Sequence, residues 1–204
     1  MKLIFATNNA HKIAEMQAGI GHAFELTGLR DAGINIDIPE PHNTLEENAS
    51  EKSWTIYRQF GINCFSEDTG LEVYVLGGEP GVKSARYAGE DRDFESNIEK
   101  LLSKLLGVKD RSARFRTIIS LIIEGKEYFF EGICEGSIGM LPAGTSGFGY
   151  DAIFVPDGSS KTFAEMSLEE KNRYSHRKKA GDKLVRFLQQ MHLPAGSASK
   201  KNQY

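Results

Sequence analysis

Cysteine is scarce in this chain. There are two, Cys64 and Cys134, seventy positions apart in hydrophobic surroundings. No CxxC, no HExxH and no Cys/His zinc spacing occurs, which excludes a disulfide scaffold and the common zinc and dithiol motifs and leaves two buried, reduced thiols as the expectation. Long apolar runs are absent too. Nothing approaches the ~20 residues of a membrane span, and the start, MKLIFATNNAHK, turns polar too early for a secretory apolar segment. The chain is therefore expected in the cytoplasm, with no membrane partner. Charge of either sign is not in excess, with 25 Lys+Arg against 28 Asp+Glu and a formal net charge of -3. That balance argues against a nucleic-acid-coating protein, whose basic footprint is larger, yet leaves room for a small anion held by a local cluster. A Walker loop, GxxxxGK[ST], is missing, as are internal repeats and Pro/Gly/Ser linkers within residues 1–191.

What is present is an ordinary globular composition over 204 residues, 40% hydrophobic and 26% charged, enough chain to bury a core without staples. Glycine is over-represented at 21 residues, against a usual ~7%. Eleven of these fall in two windows, Gly70 to Gly89 and Gly132 to Gly149, which points to a set of special turns. Lys2 to Ala6 is strand-like and runs into Thr7-Asn8-Asn9, where Asn can cap a helix carrying Ile13, Met16 and Ile20. Phe24 to Leu29 is a further strand. Thr44 and Glu47 have capping-box spacing for a helix to about Phe60. Ile62 to Ser66 and Leu71 to Leu76 read as two strands broken by Asp68-Thr69-Gly70. Phe94 to Leu106 carries one apolar helical stripe. Arg114 to Glu124 and Glu127 to Cys134 form a hairpin around Gly125-Lys126. Ser167 and Glu170 open another capping box, and Leu184, Val185, Leu188 and Met191 stripe a last helix. Alternating strands and helices with a central hairpin give an α/β fold with a mixed sheet and no clean domain boundary. Residues 1–191 are expected to form one catalytic domain of two lobes, and 192–204 a disordered tail.

Five segments could carry chemistry. Thr7-Asn8-Asn9-Ala10-His11-Lys12 joins a strand to a helix N-terminus, whose free N–H groups attract phosphate, although a plain capped helix reads equally well. Asp31 to Glu51 holds six acids and no Lys or Arg. Within it Glu40 lies between Pro39 and Pro41, ahead of Lys52 on the following helix, and Mg²⁺ needs only one or two protein carboxylates plus phosphates. Ser66-Glu67-Asp68-Thr69-Gly70 is either an acidic turn or a metal and water site at a strand end. Gly147-Phe148-Gly149-Tyr150-Asp151 fails as a dinucleotide fingerprint because no GxGxxG is completed, but its glycines would let backbone approach a planar ligand beside Phe148 or Tyr150. Lys171 to Arg186 has seven bases against Asp182. On one continuous helix Lys171 and His176 would lie about 140° apart, whereas a break at Ser175 would let both face one pocket.

Taken together, TNNAHK, ENASEK, SEDTGLEVYVLGGEPGVKSARYAG, AGTSGFGYDAIF and AEMSLEEKNRYSHRKKA resemble the family of noncanonical purine nucleoside triphosphate pyrophosphatases, also called inosine triphosphate pyrophosphatases. The likeness runs in order from Thr7 to about Ala180. It implies a long mixed sheet flanked by helices, two lobes with a central cleft, and a homodimer. It also implies Mg²⁺-dependent hydrolysis of ITP, dITP and XTP to the monophosphate and pyrophosphate, and no nucleic-acid partner. By position in that family, Thr7, Asn8, Asn9, Ala10, His11 and Lys12 cradle phosphate and Lys52 adds a cation. Glu40 and Asp68 hold the metal, and Asp68 is the general base. Thr69 stands for a substrate-contacting serine, and Phe148, Gly149, Tyr150, Asp151, Lys171, His176 and Arg177 bind the nucleotide. Glu67 stands where many members carry Asp, which leaves its part in the metal shell open, and Ala152 replaces a common proline. His176 and Arg177 would read the 6-keto edge of the purine, with Phe148 against its face. Two alternatives remain: a triphosphatase of different base specificity and a nucleotide sensor without turnover.

Overall fold

A computed structural model describes residues 2–22 and 24–192. The tail expected from 192 onward lies outside the described residues past His192. Strand β1 (Lys2–Phe5) leads into α1 (Ala10–Ile20). The side chain of Asn9 accepts the Lys12 N–H at 3.2 Å and so starts the helix where the sequence places it. After β2 (Glu25–Gly28) a coil of residues 31–43 runs to α2 (Leu45–Phe60). Thr44 caps α2 by accepting the Glu47 N–H at 3.2 Å, but its hydroxyl donates to the Glu47 carboxylate at 2.8 Å. The expected capping box is thus closed between side chains. Next come β3 (Cys64–Val73), β4 (Pro80–Gly81) and α3 (Phe94–Lys104), then the long hairpin β5 (Ser112–Ile123) and β6 (Lys126–Ile138). The chain closes with β7 (Phe154–Pro156), α4 (Leu168–Asn172) and α5 (His176–His192).

The strands form one seven-stranded mixed sheet in the order β2-β1-β3-β5-β6-β7, with β4 paired to β3. β1 is parallel to β2 and β3, and the remaining pairs are antiparallel. This is the mixed sheet flanked by helices that the sequence led us to expect. One core cluster gathers Leu71, Leu101, Leu105, Phe115, Phe154 and Phe163, and another gathers Phe5, Met16, Phe65, Ile119, Leu121, Leu184 and Leu188. Both thiols are free and buried, and burial pushes each up to about 12.

Four local expectations need correction. Asp68-Thr69-Gly70 is no turn: β3 runs through it, and those residues pair with Ile118, Thr117 and Arg116 on β5. Glycine at 70 serves close approach, since a Cβ there would sit 2.7 Å from the Gly81 carbonyl oxygen on β4. Tyr74–Leu76 is a short 3-10 turn, not strand. The hairpin turn is Glu124-Gly125, both at positive φ (50° and 74°), one residue earlier than read, because two such residues match the twist of paired strands. The apolar stripes also overreach, since Leu106 and Met191 are exposed.

Gly132 carries the fold into the site. It pairs with Thr117, and a Cβ added there would lie 2.0 Å from the His176 carbonyl oxygen and 2.5 Å from the Ala180 nitrogen. The first turn of α5 therefore rests directly on the β6 backbone. Because the neighbouring atoms are backbone, no side chain can rotate away to make room. We expect G132A to destabilise the protein by about 3 kcal/mol or more, at the upper end for overpacking, read as a lower denaturation midpoint with unchanged slope.

Candidate functional site

A cavity of about 450 Å³ opens where the end of β1, the middle of β3 and the first turn of α5 meet the coil of residues 31–43 and the glycine-rich loop. Every expected site residue lines it except Ala10 and His11. His11 nonetheless stacks on Phe148, with ring centroids 5.3 Å apart and planes at 24°.

On one side lies the N-terminus of α1. The Thr7 hydroxyl accepts the Asn9 N–H at 3.1 Å, and the Asn9 side chain takes the Lys12 N–H. Among the described residues no acceptor meets the N–H groups of Ala10 and His11. That leaves an electropositive helix end suited to an anion.

Opposite it, the buried Lys52 ammonium bridges two carboxylates, 2.7 Å from Glu40 Oε1 and 2.9 Å from Asp68 Oδ1. α2 places Lys52, β3 places Asp68 and the coil of residues 31–43 places Glu40. Burial alone would raise Glu40, but Lys52 outweighs it and holds the group at about 2. Asp68 goes the other way: burial raises it above the usual aspartate value despite Lys52, and the Glu40 charge adds to the rise. Lys52 stays protonated, since the two carboxylates outweigh its burial. Lys52 engages Oδ1 of Asp68, and no described residue engages Oδ2. Among the described residues no group of three or more His, Cys, Asp or Glu forms a metal cluster. The candidate donor set is instead the two carboxylates that the Lys52 ammonium holds together, few enough to suit an ion that takes its remaining oxygens from phosphates and water.

Behind the cavity floor runs a buried ion network. Arg177 binds Glu67 with Nε at 2.9 Å and Nη2 at 3.1 Å, and Nη1 donates to Glu15. Lys171 bridges Glu15 and Asp151, both at 2.6 Å, and Lys12 lies 3.2 Å from Glu67. Glu67 is thus a fixed partner for cations. Burial would raise it, but Arg177 and Lys12 hold it at about 2. Asp151 is raised by burial despite Lys171, and it accepts the Phe148 N–H at 2.9 Å, which orients that ring. Tyr150, the other candidate ring, is committed to the core through its hydroxyl, which donates to the Ser84 carbonyl at 2.9 Å.

The chain does break at Ser175, whose hydroxyl caps α5 by accepting the Lys178 N–H at 3.2 Å, so Lys171 and His176 both reach the cavity. His176 is buried, stacked on Phe115 at 4.7 Å and joined through Nδ1 to Thr117 at 2.6 Å. Burial, reinforced by Arg177 and Lys171, lowers its pKa well below the usual histidine value, so the ring is neutral. Thr117 also bonds the Thr69 hydroxyl at 2.6 Å.

Two members of this constellation escaped sequence reasoning, Glu15 and Thr117. Glu15 left a faint signal, a charge beside Met16 on the buried stripe of α1. Thr117 left none, since a threonine in a strand is ordinary.

The Ham1 family model matches residues 3–187. A dITP/XTP pyrophosphatase of Flavobacterium johnsoniae is 48% identical over 188 residues, covering 92% of this chain and 98% of the relative. One from Porphyromonas gingivalis is 47% identical, covering 92% and 97%. Among solved structures, the Staphylococcus aureus Ham1 protein superposes with a TM-score of 0.84 at 38% identity, covering 94% of this chain and 100% of that one. A nucleoside-triphosphatase / dITP/XTP pyrophosphatase from Mycobacterium abscessus gives 0.72 at 38%, covering 92% and 99%.

Glu15 offers a test of the network. Burial raises its pKa, but Arg177 and Lys171 outweigh it, so the folded value lies below 4.5. Its stabilising contribution is then complete above pH 4.5 and fades as pH falls through the lower folded value. E15Q should cost about 3 kcal/mol at pH 7, where Lys171 and Arg177 lose a buried counter-charge. The gap to the wild type should close as denaturation is repeated at successively lower pH below about 4.5.

Proposed function

This chain belongs to the Ham1 family, and from that membership we propose that it hydrolyses the noncanonical purine nucleoside triphosphates dITP, XTP and ITP to monophosphate and pyrophosphate, removing them from the nucleotide pool. The observation that carries the reading is the pair of carboxylates Glu40 and Asp68 held together by Lys52, in the same cavity as a free helix N-terminus. The relatives' pyrophosphatase names give the reaction its direction.

In this reading Asp68 is the general base. Oδ2 is the oxygen available to take a proton from water, since Lys52 engages Oδ1. The water attacks the α-phosphorus; its proton passes to Asp68, the bond to the bridging oxygen breaks, and pyrophosphate departs. Glu40 and Asp68 would hold Mg²⁺, which when bound neutralises phosphate oxygens. Lys52 and Lys12 place positive charge where the leaving group gains negative charge. The Ala10 and His11 N–H groups receive phosphate oxygens.

Phe148 offers the ring face for the base. The neutral His176 keeps Nε2 for the substrate, and Arg177 retains one of its five N–H donors after its bonds to Glu67, Glu15 and Thr69. Buried donors aimed at a 6-keto oxygen are left unpaired by a 6-amino purine, which disfavours ATP.

The rest of the reading is a catalytic unit of two lobes over 1–191, in the cytoplasm, working as a homodimer. The match over residues 3–187 supports the first, and the two unpaired buried thiols support a reducing compartment. The strongly exposed Leu106, Met140 and Leu141 supply apolar surface that a second copy would cover.

The test is pyrophosphate release from ITP, XTP, dGTP and ATP, each with and without Mg²⁺. Release from ITP and XTP well above ATP, only with metal, is expected. Orthophosphate as the direct product would sink the proposed cleavage position, and no release at all would favour a sensor. D68N should lower turnover by about 10²–10⁴-fold, the span for loss of a general base, with an unchanged far-UV circular dichroism spectrum. Near-normal turnover would remove Asp68 as the base.

A further inference from the structure

Two arginines at the cavity have no part in the scheme above. Arg86 ends the turn Ser84–Arg86, and the backbone around it is held from several sides. The Tyr150 hydroxyl donates to the Ser84 carbonyl, Asn97 Nδ2 donates to the Ala85 carbonyl at 3.1 Å, and Asn97 Oδ1 accepts the Ala88 N–H at 2.6 Å. Its guanidinium is held far less firmly. Nη2 lies 3.3 Å from Glu40 Oε2, and Nε lies 3.4 Å from Glu90, a fully exposed acid. Arg92 approaches the same Glu40 oxygen, with Nη2 at 3.6 Å, and its side chain is 54% exposed. Its backbone is left-handed, at φ 54°, a conformation that costs a side-chain-bearing residue energy.

Arg177 is the contrast, with both ends of its fork taken by carboxylates at full burial. Arg86 and Arg92 share one oxygen of a carboxylate whose other oxygen already serves Lys52. Three cations therefore compete for Glu40, and most of the donors on the two guanidiniums at the cavity are unused. The contacts they would give up are partly exposed, long and worth little. A phosphate group presents the paired oxygens that a guanidinium fork matches.

We infer that Arg86 and Arg92 form a clamp for the pyrophosphate half of the substrate, parked on Glu40 until that half arrives. The inference rests on the proposed cleavage between the α- and β-phosphates. Base-side groups, Phe148 and Lys171, gather around Asp151. The two arginines join instead the Glu40–Lys52–Asp68 chain, the part of the site that the proposed reaction gives to the leaving pyrophosphate.

Equilibrium binding separates the two halves of the substrate. Inorganic pyrophosphate and inosine monophosphate are titrated calorimetrically, with Mg²⁺ present, into the wild type, R86A, R86K, R92G and R92K. R92G suits the left-handed backbone and so preserves the loop. R86A and R92G should each weaken pyrophosphate roughly tenfold or more, the effect of losing one hydrogen bond to a charged group. The monophosphate should bind all five proteins within about twofold, and each lysine variant should recover part of the loss by restoring charge without the fork. Unchanged pyrophosphate affinity in R86A and R92G overturns the clamp, as does equal weakening of both ligands. Wild-type protein that binds no pyrophosphate overturns it too. If the wild type releases pyrophosphate from XTP while the variants bind it normally, the clamp falls alone. If it releases none yet loses pyrophosphate affinity in both variants, the clamp stands and the proposed reaction falls.

Discussion

The buried ion network around Arg177 and Lys171 is the constraint on which the rest of the site depends. Two cations and three carboxylates, Glu15, Glu67 and Asp151, meet with almost no exposure to water. They come from α1, β3, the glycine-rich loop, α4 and α5, so five separate segments must arrive together or leave a charge uncompensated. Taking such charges out of water costs several kcal/mol per ion, which only good geometry and complete pairing offset. That requirement makes the network a poor source of net stability and a strict judge of position. Phe148 is oriented by the same Asp151 that holds Lys171, and Lys12 on the helix N-terminus is tied to the same Glu67 that holds Arg177.

Around this rigid floor the cations of the cavity fall into two physical classes. Arg177, Lys171 and Lys52 are buried and answered by carboxylates on more than one side. Lys12, Arg86 and Arg92 are partly exposed, with longer contacts. A site that binds and then releases a polyanion needs both kinds. Fixed charges set where the ligand goes, and loosely held ones follow it without a large desolvation cost in either direction.

Much of the local structure was legible along the chain. The caps at Asn9, Thr44 and Ser167, the hairpin and the break at Ser175 all follow from interactions within three or four residues. The residues near the cavity were legible as well, because they sit in long ordered motifs. Asp68-Thr69-Gly70 misled because an acid followed by glycine has turn chemistry. Here three cross-strand pairs to β5 override that preference, and β4 crosses at Gly70. Glu15 and Thr117 stayed hidden because their importance lies in partners 162 and 59 residues away.

By itself the sequence determined the mixed α/β fold, the helix starts and the set of polar residues able to do phosphate chemistry, since periodicity, capping and motif order are local properties. Scarcity of cysteine and of long apolar runs had already narrowed the class. Only the tertiary structure decided which charges pair. It left Asp68 raised by burial while Glu40, on the same lysine, is held low, and it made His176 neutral by burying it, with nearby cations adding to the effect. Burial and through-space charge set those states, and neither exists until the sheet brings distant segments together.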